Sequence, residues 1–404
     1  MNRRSFIVSS TAIGLSPLSF LGGCTSLAGT ESGGQAMSSA GVANSTRWTV
    51  SPAIGFDACF ALVVAAADNS VMQANAHADQ RDTFRAMLGA EGITAAERLI
   101  GALQASGQGS TPGPALARVV SVGKIAALQD VIDTFAIDGL LENGLNQARL
   151  FENERARENL QRVRPIATAA FGALKEGGFE EFWKTRDEPR LREASVRLAS
   201  ELAGIDMLAE HRRYLARPLE ANVTIYLSEL SEPHAMRISG QRMVTSPNLP
   251  SITNRRAAVH EAIHTLLDIN RPETERILER LNKEPLLKSV ARNANAEFGY
   301  TSQGEASVRG IVEEGGVQAL EAVINARLDQ GRDQSAYWLE QDGGMHIFAA
   351  ATFALMQTTG FAERGGDMLS WMDAKTASGD LQGTSLHDLA SSVVGTTAVD
   401  RWLD

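Results

Sequence analysis

Seven histidines are spread over 404 residues, and two of them stand four apart with a glutamate beside the first: His260, Glu261 and His264, within Val259-His260-Glu261-Ala262-Ile263-His264. On a helix, positions i and i+4 share a face, so both imidazoles can reach one cation. A carboxylate next to the first ligand can take a proton from water activated at that cation. Imidazole nitrogen suits zinc, and zinc sites that do chemistry use three protein ligands and keep the fourth position open. The pattern points to Zn2+ held by His260 and His264, with Glu261 as general base in a hydrolysis. The plainer reading is a buried helix whose histidines satisfy core groups. The scarcity of histidine and the intervening Glu261 favour the metal.

Two histidines leave zinc short of one protein ligand. Leu267 and Asn270 occupy the third and sixth positions after His264, where an extended motif would carry Gly and His. An acid on a later helix is the alternative, and Gly310-Ile311-Val312-Glu313-Glu314-Gly315-Gly316-Val317-Gln318-Ala319-Leu320 offers one. With its Glu-Gly step between apolar residues, this segment resembles the second zinc helix of gluzincin-type metallopeptidases. The resemblance spans roughly residues 220–360 and is specific only at the two helices.

In that resemblance the ligand is the Glu directly before Gly, which maps to Glu314; Glu313 takes the role if the helix phase differs. Gly315 and Gly316 are expected to let the second helix approach the first. The resemblance implies a zincin-like catalytic core and a peptide or protein substrate. The gap between the helices is long for the family, and Gly316 and Val317 depart from its usual residues. A metallohydrolase acting on cell-wall or small-molecule amides or esters therefore stays open, as does a non-enzymatic envelope lipoprotein.

A hydrolytic site also needs a donor for the developing oxyanion. Tyr300, Tyr337 and His346 are available, and His346 is favoured because Gly343 and Gly344 let its loop come close. Asp268, one turn past His264 on a continuing helix, could orient a ligand. Cys59 lies in an apolar stretch and reads as buried and inert. His77 and His211 read as structural or solvated.

The elements that must position these groups are mostly helical. Apolar residues recur at helical spacing over Thr94–Gln104, Ala126–Leu141 and Leu191–Leu215. Phe151–Val163 suits a surface helix. After Pro218 the β-branched run Asn222–Leu227 predicts a strand, and His234–Val244 predicts a second. Either strand could pair with an extended peptide. The expected class is α+β, predominantly α-helical, with a small sheet preceding the motif helix.

The first residues read as an export signal rather than as part of the fold. Arg3-Arg4 followed by a mildly apolar run resembles a twin-arginine signal, and Leu21-Gly22-Gly23-Cys24 resembles a bacterial lipobox. This implies removal of residues 1–23, lipidation of Cys24, and a protein anchored to a bacterial membrane, facing the periplasm or exterior. Residues 24–47, rich in Gly, Ser, Ala and Thr, read as a flexible tether. Residues 48–217 read as a helical N-terminal region and 218–404 as the catalytic region. A net charge of −10 carries no basic footprint for nucleic acid.

Overall fold

The most apolar helix, Ile54–Ala66, is buried from Ile54 through Ala65. At 13 residues it is a core helix rather than a membrane span. A computed structural model describes residues 46–66, 78–105, 112–148, 154–232, 235–264, 266–268, 270–298, 307–340 and 344–403. The expected export signal and Cys24, His77, His234, Tyr300 and most of the expected tether lie outside them. Among the described residues no helix is long and apolar enough to cross a membrane.

Helices Ala78–Ala105, Pro112–Val120, Leu128–Ala136 and Glu154–Glu176 pack around the central helix. Phe56, Phe60, Phe84, Phe135, Phe171 and Phe179 are fully buried there. The class is α+β and predominantly helical. Two expected helices are each a pair. Ala126–Leu141 covers the helix Leu128–Ala136 and only the start of the next, Leu140–Ala148, with Gly139 at φ 80° between them. Leu191–Leu215 spans Glu188–Leu202 and Met207–Tyr214.

The sheet has the order β1-β2-β4-β3, with β1 Arg47–Pro52, β2 Asn222–Leu227, β3 Met236–Ser239 and β4 Arg242–Thr245. In β2 the alternation buries Val223, Ile225 and Leu227, the period of two that a strand requires. The expected single strand over His234–Val244 is a hairpin: β3 and β4 are antiparallel, joined through Gly240 at φ 56°. β1 pairs in parallel with β2, from Arg47 opposite Asn222 to Pro52 opposite Leu227. The beginning of the helical region thus shares a sheet with the strands that precede the motif.

Thr46 is the first described residue. It is buried, its hydroxyl donating to Asp206 Oδ1 (3.0 Å) and accepting from the Leu208 amide (2.9 Å). Asp57 ties the central helix to the region after β2. Its carboxylate accepts from Trp183 Nε1 (2.7 Å) and Ser228 Oγ (2.5 Å) in a fully buried setting. Cys59 is buried in the same helix, and burial raises its thiol well above the ordinary range.

Candidate metal centre

The motif helix, Ser251–Ile263, leaves the sheet directly. Asn254 fastens it, with Oδ1 accepting from Thr245 Oγ1 at the end of β4 (2.6 Å) and Nδ2 donating to the Ser246 carbonyl (3.3 Å). A second buried helix, Val308–Arg327, is capped by Ser307 Oγ on the Gly310 amide (2.9 Å) and packs on the first.

The motif helix ends sooner than its apolar pattern suggests. His264 is its C-terminal cap at φ −47°, ψ 151°, so Leu266, Leu267 and Asp268 lie beyond it. Two side chains enforce the break. Arg217 donates to the carbonyls of Ala262 (2.8 Å), Ile263 (3.1 Å) and His264 (3.2 Å), where helix carbonyls lack partners and a cation is favoured. Glu313, from the second helix, accepts the amides of Leu266 (2.8 Å) and Leu267 (2.7 Å). Asp268 therefore does not sit one turn past His264 on a helix. Its carboxylate accepts from the backbone and side chain of Asn270 (2.9 and 3.1 Å).

The imidazoles face one another, with Nε2 of His260 and Nε2 of His264 3.0 Å apart. Glu314 reaches both: Oε1 is 3.5 Å from His260 Nε2 and Oε2 is 3.8 Å from His264 Nε2. Ligand atoms about 2.0–2.1 Å from a zinc ion at tetrahedral angles are about 3.4 Å apart. The ring-to-ring separation lies just below that distance and the two Glu314 oxygens, one toward each ring, lie just above it, so these residues could hold a metal ion of this size. Glu261 stands alongside, Oε2 3.8 Å from His264 Nε2. The buried His260, Glu261 and His264 form a cluster that could hold a metal ion. Glu314 is the most open of the four, its side chain 13% exposed.

Of the two adjacent acids, Glu314 faces the histidines. Glu313 Oε1 lies 4.0 Å from Nδ1 of His264, on the side away from the Nε2 pair, and is spent on the backbone. Gly315 does not face the motif helix as expected. An added Cβ there would meet Phe348 at 2.9 Å and the Ala349 nitrogen at 3.0 Å, so this glycine lets in the helix Ile347–Thr358. Gly316 faces Leu266, just past the end of the motif helix.

A shell of polar groups surrounds the cluster. Glu321 Oε2 lies 3.1 Å from His260 Nδ1, while Glu321 Oε1 accepts from Arg332 (3.0 Å) and Asn325 (3.0 Å). Sequence reasoning missed Glu321, Gln318 and Asn325, although a signal was there. Glu314, Gln318, Glu321 and Asn325 follow at i, i+4, i+7 and i+11, a polar stripe along a helix whose other buried residues, Glu313 apart, are apolar or glycine.

His346 lies one amide away from the cluster, Nε2 3.5 Å from Gln318 Nε2. Tyr337 lies under the Arg332 guanidinium, 3.2 Å from ring centre to Cζ. His211 is fully buried, with ring nitrogens facing the carbonyls of Met207 (2.7 Å) and of Val259 in the motif helix (3.0 Å). It is structural.

Neither strand offered for substrate pairing has a bare edge at the site. β2 is interior. On the edge strand β3, the Arg237 amide donates to Glu261 Oε2 (2.9 Å) and its carbonyl accepts from Arg118 Nε (3.3 Å).

Burial raises Glu261 to about 7, against the opposing pull of His260. Burial works to lower His260, but the carboxylates of Glu314, Glu321 and Glu261 outweigh it and hold the ring at about 9. Burial and the neighbouring His260 charge keep His264 well below the ordinary imidazole range. Nδ1 of His260 faces Glu321 and its Nε2 faces His264. A cation held by the two Nε2 atoms would compete with a proton there. The chain matches no family model, no curated protein and no solved structure.

Proposed function

We propose that the chain is a zinc-dependent metallohydrolase, cleaving an amide bond in a peptide or protein. The convergence of His260 Nε2, His264 Nε2 and the Glu314 carboxylate beside a buried Glu261 carries this reading. Zinc held there supplies a Lewis acid that polarises a carbonyl oxygen and makes water easier to deprotonate.

The rest falls to the chain. The Arg237 amide anchors Glu261 through Oε2, whereas buried Oε1 has no hydrogen-bond partner among the described residues. An unpaired buried carboxylate oxygen is costly, and such exceptions mark sites that take up a partner. Oε1 accepts the proton of the attacking water and returns it to the departing amide nitrogen, as a general base and then acid near neutral pH. Glu321 holds the His260 ring in one orientation, and the Arg217 and Glu313 contacts stop the helix where His264 turns inward. Cys24, within its lipobox-like sequence, places the enzyme on a bacterial envelope membrane by a lipid anchor.

Glu261→Gln tests the reading. The variant keeps the Arg237 contact through its amide oxygen and is expected to retain zinc while losing roughly 100- to 10,000-fold in peptide hydrolysis. A variant that keeps both zinc and full activity rules out Glu261 as the base.

A further inference from the structure

On the buried stripe Glu314–Gln318–Glu321–Asn325, Glu314 and Glu321 have roles in the reading above and Gln318 does not. The residue is 5% exposed, and both ends of its amide have partners. Trp338 Nε1 donates to Gln318 Oε1 at 2.8 Å. An indole nitrogen can only donate, so the amide oxygen must face the tryptophan and the NH2 must point the other way. There, Nε2 donates to Glu314 Oε1 at 2.9 Å, and its second hydrogen faces His346 Nε2 at 3.5 Å. Carboxylate and tryptophan thus demand the same amide orientation.

We infer that Gln318, locked by Trp338, is a positioning residue for the metal centre. It engages Oε1 of Glu314 and leaves Oε2, on the His264 side, as the oxygen offered to the cation. The inference rests on Glu314 being the third ligand. The physical need is plain, because Glu314 is the most open member of the site and a glutamate side chain loses considerable rotamer freedom when fixed. A hydrogen bond that fixes it beforehand removes that cost from metal binding.

The full-length protein, stripped of metal, is titrated with Co2+ against a chelator, and the visible absorption of the cobalt form is recorded. Gln318→Leu, close in volume, is expected to bind Co2+ about 10- to 100-fold more weakly and to shift the absorption bands. Trp338→Phe, which frees the amide to rotate, moves both in the same direction by less. Because Trp338 acts through Gln318, the double variant binds no more weakly than Gln318→Leu alone. Wild-type affinity and spectrum in Gln318→Leu, or effects of the two substitutions that multiply, overturn the inference. Should Gln318→Leu not fold, an unshifted spectrum in Trp338→Phe does so. A wild-type chain that takes up no Co2+ removes the proposed function, and this inference with it; wild-type uptake with unaffected variants removes only the inference.

Discussion

Glu321 faces the nitrogen of His260 that points away from the cluster, Oε2 3.1 Å from Nδ1, while Nε2 of the same ring faces His264. The ring is held from behind and presented in front. A carboxylate on the far nitrogen fixes the tautomer and raises ligand basicity.

Glu321→Gln keeps an acceptor for His260 but loses the charge that faces Arg332. Zinc affinity is expected to fall about 10- to 100-fold in chelator competition. Unchanged affinity would remove Glu321 from the centre's support.

Glu313 is a structural acid, and its effect belongs to the metal-free fold. Glu313→Ala strands the Leu266 and Leu267 amides in a buried setting, at roughly 1–3 kcal/mol each. Glu313→Gln keeps one acceptor and should lose about half as much. Denaturant unfolding of metal-free protein measures both, and a loss below about 0.5 kcal/mol in the alanine variant, the level of an ordinary surface change, contradicts the assignment.

The pH dependence of stability isolates Asp57. Burial raises its carboxyl to about 7, against hydrogen bonds from Ser228 and Trp183. The unfolded chain keeps the ordinary value of 3.8. Between these values the folded state holds one proton more than the unfolded state, so this group's contribution to stability declines as pH rises. The decline approaches about 1.4 kcal/mol per pH unit where the proton difference is complete. Asp57→Asn lacks it, so the variant should gain on wild type from pH 5 to pH 7. Parallel stability curves would contradict the buried neutral carboxyl.

Gly315 is where the second helix meets Phe348 and the backbone at Ala349. Gly315→Ala improves helix propensity by up to about 1 kcal/mol, but the new methyl would stand 3.0 Å from a backbone nitrogen. Overpacking of this kind costs about 1–3 kcal/mol, and a net loss of stability is expected in thermal unfolding. A stabilised variant would show that the helices part without cost.

The cluster was legible because its chemistry is local: His260, Glu261 and His264 fit one helical turn. The orientation of Glu314 was legible only through its Glu-Gly step. The end of the motif helix was not, since Leu266 and Leu267 continue the apolar rhythm of Ala262 and Ile263. The break comes from Arg217 and Glu313, each more than 40 residues from the amides or carbonyls they hold. β1 stayed hidden for a similar reason. Its six residues, Arg47–Pro52, become a strand by pairing with β2, which begins at Asn222. The hairpin could have been read from Gly240, which takes the positive φ of the turn.

The most direct measurement is the zinc content and affinity of three purified proteins: wild type, Glu314→Ala and Glu313→Gln. Convergence of His260, His264 and Glu314 on one cation predicts about one zinc ion per chain in wild type. It also predicts retention in Glu313→Gln and loss in Glu314→Ala. A wild-type chain without zinc, or full occupancy and unchanged affinity in Glu314→Ala, contradicts the centre as described.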